Sequence, residues 1–173
     1  MFASASLLAT GVVAASGAVA ASASAASAPS CVASHLKVSV GTAQGAAGTI
    51  WYPIVFTNTG PSACSIWGVP AVQPVAGGAS HSTLHVGPAA HNNSTGEMPV
   101  RHEVAPGRSV SAGFGVTETG NYTSSACVAR NAGGVVVTLG GFVSNHYLAL
   151  RISVCTKTAS THTQLLVAGT TGA

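Results

Sequence analysis

Four cysteines, Cys31, Cys64, Cys127 and Cys155, constrain this chain more than any other feature of its sequence. No two stand at the C-x2-C or C-x4-C spacing that structural zinc sites use. An even set of such cysteines reads as disulfides, and disulfides place the protein in an oxidising compartment. Four cysteines allow three pairings, all of which remain open at the level of sequence. The pairing adopted as the expectation is Cys31 with Cys64 and Cys127 with Cys155. Each bridge then closes about 30 residues and contributes about 3.5 kcal/mol in the chain-entropy account.

The first residues agree with export. "MFASASLLATGVVAASGAVAASASAASAPS" holds an apolar run followed by small residues with several A-x-A cleavage sites, so residues 1–28 are expected to be a signal peptide or export segment. No Lys or Arg precedes the apolar run, a departure from the usual positive start, and retention as an anchor is the alternative. The run is too short and too often broken by Ser, Thr and Gly for a membrane span, so no span is expected in the mature chain. Ser30 and Cys31 follow "SAP" and not the Leu, small, small pattern that precedes a lipid-attached cysteine. Residues 29–173 are left as a single domain, long enough to bury about two-thirds of its unfolded surface.

Charge excludes several functions. The chain has six Lys or Arg, only three acidic residues (Glu97, Glu103 and Glu118) and no Asp. Lys37, Arg101, Arg108, Arg130, Arg151 and Lys157 are scattered singly, so nothing tracks a phosphate backbone and nucleic acid is set aside. There is no G-x-S-x-G elbow, no H-E-x-x-H and no Asp to orient a catalytic His. The three glutamates lie in or beside expected loops. Hydrolysis is therefore the least favoured reading; the chain is expected not to be an enzyme, and no motif asks for a cofactor.

Strand patterns fill the domain. In "HLKVSV", Leu36, Val38 and Val40 alternate with polar residues. "GTIWYPIVFTN" puts Ile50, Tyr52, Ile54 and Phe56 on one face, and Pro53 suggests an edge strand or a bulge there. "NTGP" is a dense turn, after which "ACSIW", "AVQPV", "VRHEV", "VSAGFGV", "GVVVTL", "YLALRISVC" and "QLLVAG" continue the pattern. Residues 79–99 and 118–126 read as polar loops. Eight or nine short strands without a βαβ spacing predict two packed antiparallel sheets.

Two sets of side chains are candidates for binding. Seven histidines stand out in so poorly charged a chain. His81, His85, His91 and His102, in or beside the 79–99 loop, are the candidate copper or zinc ligands, with Glu97 or Glu103 in support. Ordinary polar surface residues are the competing account, since no spacing among them is diagnostic. If Tyr52 and Phe56 face inward, Trp51 faces outward, and an outward Trp suggests a contact surface; Tyr122, in the second loop, is its companion. Trp67, next to Cys64 and Ile66, is expected in the core against a disulfide.

Cys31, "VFTNTG" at 55–60, "CSIWGVPAV" at 64–72, "VAPGRSVSAGF" at 104–114, and Cys127 with Cys155 together resemble the exported actinobacterial family called domain of unknown function 4232. The likeness spans about residues 31–168. Val69 and Ala71 depart from the aromatic and the glycine usual at those places, a change of local packing. The resemblance implies an immunoglobulin-like antiparallel β-sandwich, exported or wall-associated, with the four cysteines as structural bridges. It brings no activity and no functional residue. The function expected is therefore that of an extracellular, envelope-associated, non-enzymatic binding or structural module, its partner an envelope component or another protein.

Overall fold

The computed structural model of the protein describes residues 27 to 172. All but the end of the expected export segment, residues 1–28, lies outside the described residues. Those that are described form an all-β structure. Its strands are β1 (Leu36–Val40), β2 (Gln44–Ala46), β3 (Thr49–Asn58), β4 (Cys64–Ile66), β5 (Ala71–Gly77), β6 (Ser82–His85), β7 (His91–Asn92), β8 (His102–Val104), β9 (Ser109–Thr117), β10 (Ala129–Leu139), β11 (Val143–Cys155), β12 (Thr161–Thr163) and β13 (Val167–Ala168). Two short 3₁₀ turns, Ala33–His35 and Thr119–Asn121, are the helical elements among the described residues. More strands form than the eight or nine expected, because β2, β6, β7 and β12 are pieces of two to four residues with no alternation long enough to read.

A seven-stranded sheet runs in the order β1-β3-β9-β12-β7, with β2 also on β3 and β13 also on β9; a four-stranded sheet runs β11-β10-β5-β6; β4 and β8 pair separately. The larger sheet is not purely antiparallel as expected, since β7 and β12 pair in parallel. One continuous core joins the main sheets: Leu36, Ile54, Phe56, Ala112 and Phe114 from the first pack with Val72, Val135, Val137, Leu148 and Val154 from the second. Phe56, Phe114 and Ile54 are fully enclosed. Burial of a side chain of that size contributes about 1.5–3 kcal/mol relative to exposure, which is why the alternation in β3 and β9 fixes the register.

Both disulfides have the expected pairing, Cys31–Cys64 and Cys127–Cys155, each with 4.8 Å between Cα atoms. The first ties the start of the domain to β4. Beside it Cys31 N–H donates to Ser65 O at 2.9 Å and Ser65 N–H to Pro29 O at 2.7 Å. The second ties the end of the 118–126 loop to the end of β11, where Thr156 N–H donates to Val128 O at 3.0 Å.

Pro53 corrects an expectation. β3 is neither an edge strand nor bulged at Pro53; it lies between β1 and β9 and pairs regularly across Pro53↔Gly113. The carbonyl of Pro53 accepts from Gly41 N–H at 2.7 Å, just past the end of β1. The N and C=O of a strand residue point to the same side, so the donor that proline lacks faces the break between β1 and β2. A central strand holds the proline there at the cost of one ladder bond.

The "FTNTG" stretch is a latch. Asn58 is buried, its Nδ2 donates to Ser62 O and Val104 O, both at 2.8 Å, and its Oδ1 accepts from Gly60 N–H at 2.9 Å. Its backbone closes on the next turn, accepting from Gly107 N–H and donating to Arg108 O. One residue thus joins the 58–62 turn to β8 through its side chain and to the 105–108 turn through its backbone.

Candidate functional site

The outer face of the larger sheet carries a row of residues in register across five strands. Trp51 on β3 pairs with Gln44 on one side and Gly115 on the other; Gly115 pairs with His162 on β12, and His162 pairs with His91 on β7. Residues directly opposite in a sheet share a face, so these side chains project together, away from the core.

The glycines are the floor of this row. A Cβ placed on Gly115 would stand 2.8, 2.9 and 3.0 Å from Cζ3, Cη2 and Cε3 of Trp51, and one on Gly113 would stand 3.2 Å from Cε3. The six-membered ring of Trp51 therefore lies across β9 where side chains would otherwise stand, and strand glycine is what admits it. Trp51 ends half-buried and outward, on the face the alternation predicts. The other half of this outer surface is roofed by the C-terminal segment: Gly172 N–H donates to Ser111 Oγ at 2.9 Å, and Gly172 lies against Gly113 and Pro53. What stays open is the end occupied by Trp51, His162 and His91.

His162 is held rather than loose. Its Nε2 is 3.1 Å from Thr117 Oγ1, and that hydroxyl is 3.2 Å from Thr49 Oγ1. Its Nδ1 is covered and has no hydrogen-bond partner. Burial, and secondarily the neighbouring His91, hold the His162 imidazole below its ordinary pKa, which favours the neutral ring.

The four histidines singled out from the sequence do not converge. Among the described residues no three His, Cys, Asp or Glu side chains form a metal-holding group. His81 has a positive φ of 48° and packs against Tyr147, ring centroids 4.7 Å apart. His85 lines a shallow cleft of about 380 Å³ on the outer face of the smaller sheet, with Ala71, Gln73 and Val136. His102 donates Nε2–H to Leu166 O at 2.8 Å and borders an open cleft of about 760 Å³ with Arg101, Glu103 and Arg108. His91 alone has a histidine neighbour, and that neighbour is His162, which sequence reasoning passed over. Glu97 is exposed in its loop, and Tyr122 is half-buried beside the 119–121 turn. The 79–99 loop is pinned more than its composition suggested: Ser94 is buried, and its Oγ accepts from Leu165 N–H at 3.1 Å.

Trp67 meets expectation in part, since it packs against the core cluster. It is half-buried, meets Phe142 edge to face at 4.7 Å, and carries the Arg101 guanidinium 3.6 Å above its ring. A cation over the ring keeps one face at the surface, because Arg101 must remain solvated.

The architecture and site define a disulfide-stapled, all-β protein with one tryptophan ring laid on the glycines of its larger sheet. A family model described as "Domain of unknown function (DUF4232)" matches residues 31–170, and the chain belongs to that family. No curated protein and no solved structure matches it.

Proposed function

We propose that the protein is an exported, non-enzymatic binding module of the cell envelope, with its two main sheets arranged as an immunoglobulin-like sandwich. The observation that carries this reading is the Trp51 surface. A large aromatic ring laid flat across two glycines, on a rigid central sheet and beside two imidazoles, is a preorganised platform for a flat partner such as a sugar ring. The two disulfides suit a life outside the cytosol, and no described helix is long and apolar enough to cross a membrane.

Co-sedimentation of the purified, oxidised protein with cell-wall material tests the reading. Saturable binding by the wild type that falls about tenfold or more in Trp51→Ala supports it, a loss of 1.4 kcal/mol or more. A Tyr122→Ala variant tells whether the second loop shares the surface. Equal binding by wild type and Trp51→Ala removes the platform from the proposal, and no binding by the wild type sinks the wall ligand altogether.

A further inference from the structure

We propose that His91 and His162 form a two-imidazole site for a divalent transition metal, Cu²⁺ before Zn²⁺. The two residues lie 71 positions apart in sequence, yet the parallel β7–β12 pairing sets them directly opposite each other on the outer face.

Three features of His162 fit a ligand. Its Nε2 is engaged by Thr117 Oγ1, so in the tautomer with Nε2–H as donor the lone pair resides on Nδ1. Nδ1 has no partner, whereas a buried ring nitrogen in a purely structural histidine is normally satisfied. Thr117, itself in contact with Thr49, orients the ring through the nitrogen away from the metal, the role that hydrogen-bonded neighbours play for metal-bound imidazoles. His91 supplies the second ligand. It is exposed on a two-residue strand at the sheet edge, so its ring can turn toward a shared ion without disturbing the core. Both thiol pairs are oxidised, so no thiolate competes, and water completes the coordination. Imidazole nitrogens with open positions favour Cu²⁺ over Zn²⁺ in the general order of divalent affinities. The metal reading of the sequence is thereby moved from His81, His85 and His102 to a pair of which it contained only one member.

The test uses the whole oxidised protein titrated with CuCl₂ and, separately, ZnCl₂, followed by calorimetry, and by electron paramagnetic resonance for copper. Trp51 is two strands from His162, on the order of 10 Å, so in a Trp67→Phe background Cu²⁺ should quench the single remaining tryptophan. One equivalent should bind, with nitrogen hyperfine splitting and Trp51 quenching. His91→Gln, an exposed change that leaves the core intact, should lower affinity about tenfold or more, as should His162→Gln. Thr117→Val, which leaves both ligands in place, should weaken binding about tenfold through loss of ring orientation. The His81→Gln/His85→Gln variant should bind as the wild type does. Absence of saturable binding, binding that persists in the folded His91→Gln/His162→Gln variant, or loss that follows His81 and His85 instead would each overturn the proposal.

Discussion

On the inner face of the β3–β9 pair, Tyr52, Ile54 and Phe56 stand opposite Phe114, Ala112 and Val110 and form a filled layer. On the outer face of the same two strands, Trp51 and Pro53 stand opposite Gly115 and Gly113, so one side is nearly bare of side chains and the ring from the other covers it. Both faces bury apolar surface, but by different means. The inner face excludes water by interdigitation with a second sheet, whereas the outer face does so with a single ring and a C-terminal strap. A filled layer yields nothing without loss of stability; a ring laid on a bare floor keeps its other side for a partner. The difference teaches where in this fold a surface is free to have a function.

The largest test of that contrast is Phe114→Ala, which empties the inner layer. It is expected to cost about 3–5 kcal/mol in denaturant unfolding. A cost under 1 kcal/mol would mean that the inner face is not the close-packed one. Asn58→Ala, at the polar end of the same face, should cost about 3 kcal/mol, because the side chain's three hydrogen bonds are lost and their buried partners are left unpaired. An effect as small as that of an exposed Asn would refute the latch.

Gly115→Val acts on the outer face and should cost less, about 1–3 kcal/mol. The reason is that its methyl groups meet the far end of the Trp51 ring, which can swing away. The variant should release that ring, seen as a red-shifted emission in a Trp67→Phe background; unchanged emission would show that Trp51 does not lie on the glycine. The smallest effect carries the opposite sign. Thr161 is buried on the inner side of β12 with an unpartnered hydroxyl. Thr161→Val should therefore stabilise the protein by about 1 kcal/mol, since it removes an unsatisfied polar group at nearly constant shape. Destabilisation there would reveal a partner for that hydroxyl.

Local chemistry was legible in the sequence wherever a pattern had period two or a residue had one physical role. The alternation of "HLKVSV" and "VSAGFGV" and the outward turn of Trp51 were readable because strand geometry translates position directly into face. The pairing Cys31–Cys64 and Cys127–Cys155 was one of three open choices, and only the adjacency of β4 to the start of the domain, and of β11 to the 127–129 segment, decided it. Pro53 misled because proline's missing donor speaks of one bond, and whether that bond is needed depends on where β1 ends. The histidines misled for a related reason: nearness in sequence drew His81 and His85 together with His91, while strand register separated them.

What the sequence determined by itself was an all-β chain, its inward residues and its oxidised cysteines, which follow from local periodicity and residue chemistry, and its family, which follows from the likeness of its motifs. The tertiary structure alone decided that Trp51 would lie on Gly115 and that His91 would meet His162. Those contacts depend on the order and relative shift of strands 64 and 71 residues apart. That order is set by the sum of core packing across two sheets, a quantity no single stretch of the chain contains.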